Sequence, residues 1–352
     1  MNRFDYVRPA SVAEAVAAAA VPGSAYLAAG TNLVDLMKIG AARPERLIDI
    51  SRLPGLDRIE WQADGSLYVG ALVRNADLAY DARFARTFPA VAEALLSGAS
   101  AQLRNAATVG GNLMQRTRCG YFQDVASACN RRVPGSGCDA RDGENRLAAV
   151  LGWSEHCIAT HPSDFCVPLV ALDAVAEVEG PQGRRSIPLD SLHLLPGETP
   201  QTETALAAGE LIVGLRIPAD AAAFAGHSRY LKLRERTSFA FAVVSAAAAL
   251  ELQDDTVVRA RIALGGVAAK PWRVRAAEDS LTGGPPNAEG FARAAEMALA
   301  DARPSGHNAF KIELARRIVC RALTLASQGT PAVMPALPAS PVSMISGANH
   351  AA

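Results

Sequence analysis

Between Met114 and Trp153 the chain has almost no hydrophobic periodicity. That stretch and its immediate flank nevertheless carry Cys119, Cys129, Cys138 and Cys157, four of the six cysteines. A connection of about forty residues without secondary structure is uncommon inside a compact domain unless something orders it. Four thiols are enough to hold one Fe–S cluster or one Zn²⁺. The segment therefore points to a metal centre and to electron handling.

At 352 residues the chain is long enough for two or three domains with separate cores. Thirty-five basic residues balance 35 acidic ones. No basic face stands out, which argues against nucleic acid as the main partner. No apolar run reaches the roughly 18 residues of a membrane span. The start, Met1 to Tyr6, is polar and lacks a signal-peptide pattern, so the chain by itself reads as cytoplasmic. Six cysteines in such a chain suit metal or redox use better than a disulfide framework.

Ser11 and Glu14 form a capping box for a helix running to Ala20. Residues 25–29 read as a buried strand, 33–38 as a short helix and 46–50 as another strand, a βαβ-like lobe ending near residue 55. A second lobe begins with a strand at 66–70, followed by helices at 75–80 and 89–96. Beyond the cysteine segment come a helix at 163–171 and strands at 174–178 and 211–217. A third unit starts near Gly226, with strands at 230–233, 239–252 and 258–264 and helices from Val274 to about Ser327. Residues 329–352 are rich in Pro, Ala and Ser without a period, so a flexible or partner-docked tail is expected.

Two small-residue turns follow strands or helices: Ala28-Ala29-Gly30-Thr31-Asn32-Leu33 and Thr108-Val109-Gly110-Gly111-Asn112-Leu113. Glycine lets backbone approach a ligand, and successive N–H groups can hold an anion. Neither is the G-x-G-x-x-G fingerprint. Each alone reads as an ordinary tight turn; together in adjoining lobes they suggest a diphosphate cleft.

These residues carry a family resemblance. Residues 28–38 resemble the A-G-G-T-D-L…M-K turn of the FAD subunits in the xanthine dehydrogenase and carbon monoxide dehydrogenase family. Residues 102–113 resemble its Q-I-R-N-x-A-T-x-G-G-N signature, His161-Pro162-Ser163-Asp164 and 169–174 the stretch that follows, and 232–245 the start of its C-terminal domain. The likeness is strongest to the medium subunit of molybdenum-containing aldehyde oxidoreductases of the periplasmic type. The arrangement Cys119-x9-Cys129-x8-Cys138-x18-Cys157 resembles that group's extra [4Fe–4S] segment.

The resemblance implies an α+β fold: a two-lobed FAD-binding domain of the vanillyl-alcohol-oxidase/PCMH type (lobes 1–55 and 56–224) and a smaller α+β C-terminal domain (225–328). It implies that Leu27, Ala28, Ala29, Gly30, Thr31, Asn32, Leu33 and Val34 wrap the FAD diphosphate. Thr108, Gly110, Gly111 and Asn112 would form the second wall, Asp164 would bond the cofactor, Ile212 would lie beside it, and Lys232 would contact the flavin. A positive charge there would favour the reduced, anionic ring. For Asp164 the alternative is a helix cap shared with Ser163; for Lys232 it is an ordinary surface lysine. Ala29 stands where the family usually has glycine, so that turn has to suit a residue preferring negative φ.

Cys166 and Cys320 fall in apolar helices and read as inert packing. Spacings of nine, eight and eighteen without a C-x₂₋₄-C knuckle favour a cluster larger than zinc for the other four. Arg118, Arg131, Arg132 and Arg146 are placed to offset thiolate charge, and His156 to sit beside the centre or in solvent. No substrate-chemistry constellation appears. The resemblance thus implies an electron-transfer flavoprotein in a heterotrimer, with a small subunit carrying two [2Fe–2S] clusters, a large molybdopterin subunit oxidising an aldehyde, and an external acceptor. Co-export with a partner would place it in the periplasm. The rivals are a stand-alone FAD oxidase of a small alcohol and a zinc-stapled assembly subunit.

Overall fold

The computed structural model describes residues 1–333 and is organised around three sheets. In the first, strands Asp5–Val7, Arg46–Asp49 and Ser24–Leu27 lie side by side in that order, all parallel. Parallel neighbours need a crossover: the helix Leu33–Lys38 lies in the one from Ser24–Leu27 to Arg46–Asp49, while the helix Val12–Ala19 joins the two outer strands. Ser11 Oγ accepts from Glu14 N at 3.2 Å, and the Glu14 carboxylate accepts in turn from Ala10 N at 2.9 Å. The strand Ser24–Leu27 is half-buried and stops at Leu27, so Ala28 and Ala29 belong to the turn and not to a buried strand as expected.

The second sheet is antiparallel, in the order Ile59–Trp61, Leu67–Gly70, Leu211–Ile217, Val175–Gly180, Gly183–Pro188. Leu211–Ile217 occupies the middle, and six of its seven residues are buried. Helices Pro89–Ser97 and Cys166–Ala171 cover one face through Val91, Leu95, Leu169 and Val170. The latter helix begins at Cys166, three residues later than the sequence suggests, because Ser163 Oγ accepts from Cys166 N at 3.3 Å and holds the chain outside it.

The third sheet, Ser228–Leu233, Val244–Gln253 and Thr256–Gly265, is antiparallel and backed by helices Arg275–Asp279, Ala288–Ala298 and Phe310–Ser327. The pleat sends alternate residues to opposite faces. Ala246, Ala248 and Leu250 join this unit's own core, whereas Ala247 meets Ala90, Ala94, Val167 and Ala171 of the second unit. Alanine at that seam lets the sheet and the two helices approach closely. The strand expected from Phe239 starts only at Val244, since Phe239 has φ of +49° and turns the chain.

The cysteine segment is almost all turns, with one short helix at Gly120–Gln123. It is nonetheless tied down. Val150 and Leu151 sit in the core of the third unit and both donate to Val267 O, at 2.8 and 3.0 Å. Lys311 Nζ donates to Leu147 O, Ala148 O and Gly266 O at 2.7–2.9 Å. Most of the tail expected at 329–352 lies outside the described residues.

Candidate functional site

Gly30 sits at φ +75°, and a Cβ there would come within 2.8 Å of Val34 Cγ2. Glycine is required at that point. Ala29 has no positive φ, so the family's extra glycine is not needed for this bend. Leu27 O accepts from Ile50 N and Gly30 O from Val34 N, which anchors both ends of the turn while residues 28–34 stay partly exposed. Asn32 Oδ1 accepts from Arg116 N at 3.0 Å, but Asn32 Nδ2 is buried without any acceptor.

The second segment is a short helix, Val109–Leu113, and not the tight turn expected. Thr108 caps it, its Oγ1 accepting from Gly111 N at 3.2 Å. Gly110 N donates to Ala71 O at 2.9 Å, and a Cβ on Gly110 would stand 2.9 Å from Ala71 Cβ. The close approach to the sheet thus demands glycine. Asn112 Oδ1 accepts from Ser163 Oγ at 2.7 Å and Gln115 Nε2 at 2.6 Å.

Next to Ser163, Asp164 holds the second and third units together. Its Oδ2 lies 2.7 Å from Lys232 Nζ, and its Oδ1 accepts from Tyr230 Oη at 2.6 Å. Tyr230 and Lys232 are two apart on one strand and so reach the same carboxylate. Lys232 also donates to Ser97 O at 3.1 Å. Its ammonium is thereby compensated within the protein, and it is buried, not a surface lysine. Asp164 caps nothing among the described bonds; Ser163 does. A cavity borders this group, lined by Arg118, His161, Asp164, Phe241, Ser245 and Gly265 among others. Ser245 Oγ is a buried hydroxyl without a partner there. Ile212 lies apart, buried in the middle strand opposite Val178, and lines no cavity described.

All four loop cysteines line one other cavity, with Phe122, Asn130, Arg131, His156 and Ile158 among its walls. Cys129 and Cys138 face each other across an isolated bridge, closed by Asn130 N to Gly137 O at 2.7 Å and Gly137 N to Asn130 Oδ1 at 2.8 Å. All four are free thiols. Burial pushes Cys138 up to about 11 and Cys119 upward as well. Cys157 Sγ accepts from Ala159 N at 3.5 Å and Arg131 Nη2 at 3.7 Å. Of the four arginines expected here, only Arg131 has a described bond to a sulfur. Arg132 donates to Tyr121 O and Phe122 O, Arg118 stacks on Phe241 and Arg146 on Phe310, while the His156 side chain is exposed.

No three of the four loop sulfurs lie within 4.8 Å of one another. Among the described residues that closeness is found for His161, Cys166 and His193. A Zn–S distance of about 2.3 Å would require sulfurs about 3.8 Å apart, and the four loop thiols, converging on one cavity, do not form so close a group. The orphaned Asn32 Nδ2, in a turn that stays partly exposed, suits a cofactor with acceptor oxygens. His193 and Glu203 went unnoticed in the sequence. Glu203 joins Arg131 at 2.9 Å and Arg116 Nε at 2.7 Å, from a stretch with no motif of its own.

The family described as "FAD binding domain in molybdopterin dehydrogenase" matches residues 2–220, and "CO dehydrogenase flavoprotein C-terminal domain" matches 229–326. The aldehyde oxidoreductase FAD-binding subunit PaoB of Escherichia coli (strain K12) is 47% identical over 325 residues, covering 92% of this chain and 98% of that protein. The carbon monoxide dehydrogenase medium chain of Hydrogenophaga pseudoflava is 30% identical over 331 residues, covering 92% and 97%. A solved carbon monoxide dehydrogenase from the same organism superposes with a TM-score of 0.72 at 29% identity, covering 93% of this chain and 98% of that one.

Proposed function

The chain belongs to the family of FAD-binding subunits of molybdopterin dehydrogenases, and from that premise we propose that it is the electron-transfer flavoprotein subunit of a molybdenum-dependent aldehyde oxidoreductase. The observation that carries this reading is the 47% identity to PaoB along nearly the whole of both proteins. FAD supplies a carrier that takes electrons from a partner's [2Fe–2S] centres and gives them to an external acceptor.

The residues assigned to FAD are Leu27 to Val34 and Thr108, Gly110, Gly111 and Asn112, with Asp164 and Lys232; Ile212, buried in the core apart from them, is left out. Asn32 Nδ2 offers a buried donor for a diphosphate or ribityl oxygen, and Gly30 supplies the left-handed bend of the turn that carries it. Asp164 fixes the Lys232 ammonium beside Ser97 O and so holds the third unit against the cleft. The division into lobes at about residue 55 and a C-terminal domain from 225 accords with the separate sheets.

Cys119, Cys129, Cys138 and Cys157 are assigned to a [4Fe–4S] cluster. Support comes from their convergence on one cavity and from the two N–H donors on Cys157 Sγ. The partners are a small subunit with two [2Fe–2S] clusters and a large molybdenum subunit, in a heterotrimer. No described helix is long and apolar enough to cross a membrane. Nothing favours the alcohol oxidase or the zinc-stapled subunit.

The test is an optical spectrum of the anaerobically purified chain, with iron, sulfide and zinc measured on the same sample. Flavin bands with about four iron and four sulfide per FAD are expected. Flavin without iron would remove the cluster assignment, and zinc without flavin would remove the whole reading.

A further inference from the structure

His161, Cys166 and His193 come from three separate segments, yet one ligand atom of each lies within 4.8 Å of both others. The two imidazoles meet at 4.2 Å between centroids, tilted by 55°. Cys166 is fully enclosed and His193 is 4% exposed. Two buried ring nitrogens here, His161 Nε2 and His193 Nδ1, have no hydrogen-bond partner. A packed core histidine normally has its polar atoms satisfied, so the pair wants an explanation that packing does not give.

His193 Nε2 lies 2.8 Å from Leu113 O. A carbonyl can only accept, so the ring proton sits on Nε2 and Nδ1 presents a lone pair. Cys166 adds a soft sulfur beside it. His161 Nδ1 is 3.4 Å from Ser163 N, a long contact. Ligation through His161 Nε2 moves that ring's proton to Nδ1 and gives the contact up, so His161 is the weakest of the three ligands. Asp164, the nearest carboxylate in sequence, is already shared between Lys232 and Tyr230 and is not a fourth ligand.

We propose that His161, Cys166 and His193 form a binding site for copper(I), separate from the four-cysteine cavity. Structural zinc takes four ligands, whereas this site offers two strong ones and a weaker third. Thiolate and imidazole together suit copper(I). The charges also agree: one monovalent cation and one thiolate, with neutral imidazoles, leave no net charge in an enclosed place. Binding releases the Cys166 thiol proton to solvent, and no electron is transferred. The site does not depend on the flavin assignment, although His161 also lines the cavity beside Asp164.

The test is an anaerobic copper(I) titration of the full chain, carrying its flavin and iron, in competition with a chromophoric copper(I) chelator. One equivalent retained per chain is expected. Retention should weaken at least tenfold in Cys166→Ala, a small apolar replacement that leaves the helix intact, with the iron-to-flavin ratio unchanged. X-ray absorption at the copper edge should show one sulfur together with nitrogen neighbours. No retention by the unaltered chain, equal retention by Cys166→Ala, or a sulfur-only copper shell with loss of iron would each overturn the proposal.

Discussion

Lys232 Nζ and Asp164 Oδ2 lie 2.7 Å apart across the seam between the second and third sheets, both nearly excluded from water. Removing one partner of a buried pair leaves the other charge unsatisfied, at a cost of about 3–5 kcal/mol. Asp164→Asn is therefore expected to lower unfolding stability by about 3 kcal/mol and to weaken FAD retention about tenfold, equivalent to about 1.4 kcal/mol. Urea midpoints and flavin fluorescence after gel filtration read the two effects. Full FAD occupancy at unchanged stability would show that the pair does not hold the cleft.

Gly110 and Gly111 are neighbours with unequal demands. A methyl group on Gly110 meets Ala71 Cβ at 2.9 Å and Ala71 O at 3.0 Å, whereas on Gly111 it meets only the Thr108 hydroxyl at 3.1 Å. Overpacking of this kind costs about 1–3 kcal/mol. Gly110→Ala is expected to destabilise by that amount and to loosen FAD; Gly111→Ala should cost less than half as much. Equal losses at the two positions would contradict the assigned contact with the sheet.

What could be read from the sequence follows from where burial writes a pattern. Leu211–Ile217 is buried along nearly its whole length and stands out as an apolar run. The helix Ala101–Ala106 buries no residue and the edge strand Gly183–Pro188 only one, so neither leaves a period to find. Gly110-Gly111 argues for a turn on propensity alone, yet the Thr108 cap and the hydrogen bond to Ala71 O make a helix there. For the site, the glycine segments and the four cysteines were legible because their residue types are unusual in those positions. The pairing of Lys232 with Asp164, and the choice of Arg131 over three neighbouring arginines, depend on chain segments 68 and 26 residues apart meeting in space.

Arg131 touches Cys157 Sγ with one guanidinium nitrogen and Glu203 with another. On the proposed assignment of Cys157 to an Fe–S cluster, a positive donor on its sulfur favours the more negative, reduced state. Arg131→Met is expected to retain iron and to lower the cluster midpoint potential on the order of 60 mV, the one-electron equivalent of about 1.4 kcal/mol. Redox titration followed by electron paramagnetic resonance measures it, with Arg132→Met as the comparison, since Arg132 binds only backbone carbonyls in the described contacts. Equal shifts in the two variants would mean a diffuse charge effect and no specific bond.

Lys311 fastens the end of the cysteine segment to the third unit through Leu147 O, Ala148 O and Gly266 O, and burial pushes its ammonium down to about 7 from 10.5. The folded chain then binds this proton less tightly than the unfolded chain. Below about pH 7 both states carry the proton and the burial penalty is present in full. As pH rises from 7 toward 10.5 the unfolded state binds more protons, so stability rises through that window. Each tenfold loss of proton affinity corresponds to about 1.4 kcal/mol, but the three carbonyl acceptors favour the cation and reduce the effect. The stability of the unaltered chain minus that of Lys311→Met is therefore expected to grow by about 1–3 kcal/mol between about pH 7 and pH 9.5. Urea midpoints at constant cofactor content provide the measurement, and a difference that stays level or falls with pH would show that Lys311 remains fully charged in the fold.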